Sequence, residues 1–194
     1  MAKLTRNSLM TLEAYAKARN KIRAEVMAHK KSRNVALGDH IMLIFEDEQT
    51  IRYQVQEMLR VEKIFEEAGI QEELDAYNPL IPDGGNWKAT MMIEYEDIDE
   101  RRRMLTLLLG IEDRVWVQVT GFERVFAIAD EDLERATEQK TSAVHFLRFE
   151  LTAEMSRALK QGAGLSMGVD HPTYQSTLAP IPPLVRASLL RDLQ

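Results

Sequence analysis

Residues 115–119 (Val-Trp-Val-Gln-Val) and 124–129 (Arg-Val-Phe-Ala-Ile-Ala) are two β-like runs separated by four residues, Gly121 among them. A link that short joins antiparallel neighbours, because a parallel crossover needs a dozen residues or more. An all-parallel sheet is therefore excluded. Residues 89–95, 144–151 and 163–169 also read as strands, with helices expected over 97–109 and 152–161 and a helix or helical turn over 130–140. Interleaved strands and helices around a hairpin predict an α+β fold, one domain with a largely antiparallel sheet. The length, 194 residues, suits a single domain.

The first half reads as helices packed on that body. Residues 7–32 place Leu12, Tyr15, Ile22 and Val26 on one helical face. Asn34 and Gly38 then break the chain before a strand region at 35–45. Asp47 is placed to cap a second long helix over 50–68, closed by Gly69 and packed on the first. A helical turn at 71–77 leads into an irregular loop at 78–86, which holds Pro79, Pro82, Gly84 and Gly85. The predicted layout is a basic N-terminal helix (7–32), an α+β body (35–171), and a proline-bearing connector with a closing helix (172–194).

Composition removes several chemistries. With no cysteine, the chain has no disulfide, thiolate nucleophile or cysteine-held zinc or iron–sulfur cluster. The longest apolar runs, 41–45 and 125–129, are five residues, too short to span a membrane. Residues 1–20 carry basic residues without the apolar stretch of a signal peptide, so a cytoplasmic location is expected. The net charge is −6, but residues 17–33 carry seven cations against Glu25, leaving −12 on the rest. Overall acidity and the lack of interleaved aromatics weigh against nucleic acid. The basic helix and the 78–86 loop are instead candidate docking surfaces for a protein partner.

Some polar residues occupy apolar faces. On the second helix, Glu62 projects between Val55 and Met58, and Glu57 also lies off the clean polar face. A buried carboxylate must be paired, protonated or metal-bound. Arg19, on the apolar face of the first helix, is an available partner for either. Alternation places His145 with Leu147, Phe149 and Leu151, and His171 with Leu165, Met167 and Val169. The opposite face of that second strand is nearly bare (Gly164, Ser166, Gly168), so something packs closely there or the backbone bends. Two core or rim histidines with local partners are one reading. A metal site of His145, His171 and Glu57 or Glu62, suited to iron, zinc or manganese, is the other. His29 at a helix end and His40 in a turn are expected outside it. Residues 164–168 match G-x-S-x-G, but alternation runs straight through Ser166 and Pro172 follows closely, against a hydrolase nucleophile elbow.

Residues 53–60 (Tyr-Gln-Val-Gln-Glu-Met-Leu-Arg), 65–82 (from Phe-Glu-Glu-Ala-Gly-Ile to Asn-Pro-Leu-Ile-Pro), 144–151 and 168–172 (Gly-Val-Asp-His-Pro) together resemble a bacterial family defined by a domain of unknown function. The resemblance covers nearly the whole chain. Members are often encoded beside a rubrerythrin and an iron–sulfur oxidoreductase of the heterodisulfide-reductase type. It therefore implies an accessory role in oxidative-stress defence or electron transfer, with those two proteins as partners. It implies no catalytic residues, which leaves the choice of enzyme or binding module open.

Overall fold

The computed structural model describes residues 3–129 and 140–194; the helix expected over 130–140 falls almost wholly outside them. The fold is α+β, and every named strand pairing is antiparallel, divided between two four-stranded sheets. The first has the order β1 (Asn34–Leu37), β2 (Ile41–Phe45), β3 (Asn86–Ile93), β6 (Val144–Glu150). The second has the order β5 (Val125–Phe126), β4 (Val115–Val119), β7 (Leu165–His171), β8 (Tyr174–Leu178). The expected hairpin at Gly121 is β4–β5.

Alternation dictates what each sheet buries. Leu37, Leu43, Phe45, Met91, Leu147 and Phe149 from the first sheet share one core with Val115, Val117, Leu165, Met167 and Val169 from the second. An isolated pairing of Ile128 with Arg148 links the two sheets. At about 25 cal/mol per Å² of apolar surface, this core is the main source of stability. A smaller apolar cluster joins Ile51, Val55 and Leu59 of α2 (Glu48–Glu62) to Ile70 and Leu74 of α3 (Glu67–Tyr77), with Phe146 of β6 packed against it. α1 (Leu12–Lys30) lies against α2 and buries only Tyr15 and Val26.

Several boundaries differ from the sequence expectation for identifiable reasons. The 35–45 region is two strands, because Gly38 at φ +73° turns the chain and leaves the space that the Tyr174 hydroxyl occupies. The 50–68 helix stops at Lys63, which adopts the left-handed conformation at φ 56°, and a new helix begins at Glu67. Gly69 therefore lies inside α3 rather than ending α2. The first part of the 174–183 connector is the edge strand β8. The 78–86 loop is mostly buried: Leu80, Ile81, Pro82, Gly84 and Asn86 are all inside, and Asn78 holds the backbone of Leu4 by two hydrogen bonds. Less of the loop is therefore open to a docked partner than its proline- and glycine-rich sequence suggests.

Candidate functional site

α1 and α2 run antiparallel and are held by charge at both ends. At one end Arg19 meets Glu57 in a bidentate pair, Nε to Oε1 and Nη2 to Oε2, both at 2.8 Å. The hydroxyl of fully buried Tyr15 donates to Glu57 Oε1 at 2.7 Å, and Arg60 adds weaker bonds at 3.2 and 3.3 Å. The Arg19 hydrogen bonds outweigh burial and hold the Glu57 carboxyl down at about 2. Burial first, and then the Glu57 carboxylate it donates to, push the Tyr15 phenol well above its usual range. Of the two bridges open to Arg19 in the sequence, to Glu57 or to Glu62, the structure forms the one to Glu57.

At the other end His29 Nε2 donates to Asp47 Oδ2 at 2.5 Å, while Asp47 Oδ1 accepts the Thr50 amide and caps α2. Arg33, 1% exposed, sits behind this pair. It donates to the carbonyls of Phe45 and Glu46, to Ser188 Oγ and to Asp192 Oδ2 at 2.5 Å, and lies 3.4 Å from Asp47. Burial works against ionisation of Asp47, but Arg33, the Thr50 amide and His29 together hold its carboxyl below the usual range. At Asp192 burial prevails over Arg33 and holds the carboxyl above that range. Sequence reasoning missed this network. Arg33 was one more cation in a basic run, and its partner lies 159 residues away.

The other residues singled out in the sequence are dispersed. His145 is 2% exposed, and its Nε2 lies 2.8 Å from Thr141 Oγ1 and 3.0 Å from the Ser142 carbonyl, with Glu112 at 3.9 Å. His171 is in the other sheet; its Nδ1 accepts the Thr173 amide, so Nε2 donates to the Leu109 carbonyl. Each imidazole thus has local partners, the blander of the two readings. Glu62 is a correction: it is exposed, because α2 ends there and residues 61–63 all lie in solvent. Glu57 is committed to Arg19. Among the described residues, no three His, Asp or Glu side chains form a group that could hold a metal ion.

Ser166 lies mid-strand opposite Gln118, and the chain continues into β8 rather than a helix, so the elbow that its motif needs is not formed. The bare face of β7 has the predicted cause. The Trp116 ring rests on Gly168, where a Cβ would overlap it, and Thr120 rests on Gly164.

The two clamps take up two of the seven cations of the basic run, Arg19 and Arg33. Lys17, Lys21, Arg23 and Lys31 face outward instead. Lys17 and Lys21 are 75% and 83% exposed and have only helical neighbours, Glu13 and Glu25. Arg23 and Lys31 are exposed, with no carboxylate partner among the described residues.

Comparison with known proteins gives a family without an assigned activity. The family model "Protein of unknown function (DUF3501)" matches residues 3–193. No curated protein matches. A crystal structure of a novel protein of unknown function from Burkholderia pseudomallei is 60% identical, with a TM-score of 0.94 and full coverage of both chains.

Proposed function

The chain belongs to the DUF3501 family of proteins of unknown function, and we propose that it serves as a non-catalytic accessory module that docks an acidic protein surface through α1. The observation that carries this reading is the way α1 is held. A 19-residue helix buries two side chains and is fastened by charge at both ends. Its outward face displays Lys17, Lys21 and Arg23, and Lys31 caps its end, on a chain of net charge −6. A cationic strip on an acidic body steers and orients an acidic partner while opposing docking through the other faces.

The redox setting implied by the family resemblance makes a rubrerythrin and a heterodisulfide-reductase-type oxidoreductase the first partners to test. A metal centre on His145, His171 and Glu57 has less support, because Glu57 has its arginine and each imidazole is held locally. The test is titration calorimetry of each candidate partner against the wild type and a Lys21→Glu/Arg23→Glu/Lys31→Glu variant. The reading expects binding that weakens with salt and is lost in the variant but survives His145→Ala. Binding that ignores the three reversals contradicts it.

A further inference from the structure

A single cavity of about 680 Å³ opens where β2 begins and β3 ends. Met92 and Val144, paired neighbours on β3 and β6, give it an apolar floor. His40, from the turn between β1 and β2, stacks on Tyr95 with ring centroids 3.9 Å apart and an interplanar angle of 15°. Both rings line the cavity. Its rim carries Asp39, Glu94, Glu96 and, from α4 (Ile98–Leu107), Glu100.

The polar groups of this cavity are almost all acceptors that lack a donor. Tyr95 is 6% exposed, yet its hydroxyl has no hydrogen-bond partner among the described residues. The one fully sealed side-chain polar atom left unpartnered among those residues is Trp116 Nε1, so the Tyr95 oxygen keeps access to the cavity it lines. Burial first, and then Tyr174 and Glu100, hold the Tyr95 phenol above its usual range, so it stays a neutral hydroxyl. His40 Nδ1 donates to the Glu94 carbonyl at 2.9 Å. That leaves Nε2 of the neutral ring as an acceptor, and it has no partner among the described residues. None of the four rim carboxylates forms an ion pair there either. Arg101 is the only arginine or lysine in the wall, and it donates to the Tyr95 carbonyl rather than to a carboxylate. The carboxylates are spread along the rim, and no three of these acidic and histidine side chains converge closely enough to hold a metal ion. The complement to this wall is therefore an extended, donor-rich cation.

We propose that this cavity binds a linear polyamine, with its methylenes on Met92 and Val144, one ammonium against the His40–Tyr95 pair and the others along the Glu94, Glu96 and Glu100 rim. Each ammonium supplies donors to acceptors that lack them, and an aromatic face attracts the same charge. A divalent metal ion brings charge but neither spans the separated carboxylates nor covers the apolar floor. The cavity lies outside the cationic face of α1 and does not depend on a docked protein.

Spermidine is the probe. Calorimetry of the full chain at low salt should give one site with a Kd on the order of 0.1 mM. Glu94→Gln/Glu100→Gln, at two exposed positions, should weaken it at least about tenfold. Glu72→Gln, a carboxylate outside the cavity, should leave it unchanged. Tyr95→Phe keeps the stacked ring and removes only the hydroxyl; it should weaken binding at least about threefold with the circular dichroism spectrum retained. Magnesium ion, which has the charge without the chain, and octanediol, which has a chain without the charge, should each bind at least about tenfold more weakly. Reversal of Lys21, Arg23 and Lys31 should leave the affinity unchanged, which separates this site from the docking face. Absence of binding at millimolar spermidine, equal binding of magnesium, or affinity unmoved by the carboxylate pair or by Tyr95→Phe would each overturn the proposal. Tighter binding of trilysine than of spermidine would overturn it in favour of a basic protein segment.

Discussion

Glu57→Gln removes the charge at one clamp while keeping the size of the side chain, and its effect follows from the carboxyl's position. In the folded chain the group ionises near 2 rather than near its ordinary 4.5, chiefly because Arg19 donates to both of its oxygens. At ~1.4 kcal/mol per pH unit, that difference sets a ceiling of about 3.4 kcal/mol for a sealed site. The Glu57 side chain is 19% exposed and both of its arginine partners reach solvent, so screening lowers the expected contribution to about 1–2 kcal/mol. The folded value lies below the unfolded one. The stabilisation is therefore complete above about pH 4.5 and drains away as pH falls toward about 2. Urea unfolding from pH 7 to pH 2 should show Glu57→Gln less stable than wild type by that amount at pH 7, with the two curves converging in acid. A variant as stable as wild type at pH 7, with the same acid slope, would refute the clamp.

Four further outcomes follow from named contacts. Arg33→Met strands Asp192 in a buried site and should cost about 3–5 kcal/mol in urea unfolding. Gly168→Ala forces a methyl group into the Trp116 ring and should cost at least about 1–3 kcal/mol, whereas Ser166→Ala in the same strand should stay within about 0.5 kcal/mol. Glu62→Gln, at an exposed helix end, should also stay within about 0.5 kcal/mol. Elemental analysis of untagged protein should find no stoichiometric iron, zinc or manganese; near-stoichiometric metal that disappears in His145→Ala would restore the metal site.

Legibility in the sequence tracked the range of the interaction. Alternation alone placed His145 beside Leu147 and Phe149, because a strand's period is a local property. Arg19 and Glu57 were legible because each interrupts an apolar helical face, and two such interruptions on adjacent helices imply each other. Glu62 falls on the apolar arc by spacing, but the turn that Ile64 and Phe65 would add around it is never formed, because the left-handed backbone at Lys63 ends the helix with no glycine or proline to signal it. The strand β8 was hidden by the prolines that follow it, Pro180, Pro182 and Pro183. The Arg33–Asp192 pair had no local signal, since only the folded chain brings residues 33 and 192 together.

The docking proposal puts the working surface on the exposed cationic face of α1 and not on a histidine metal centre. The most direct measurement is the affinity for a candidate partner, determined side by side for wild type, His145→Ala and the Lys21→Glu/Arg23→Glu/Lys31→Glu variant. If α1 docks the partner, His145→Ala keeps the wild-type affinity and the triple reversal loses at least about tenfold, 1.4 kcal/mol. Loss of binding in His145→Ala, with the triple variant binding as wild type does, would contradict it.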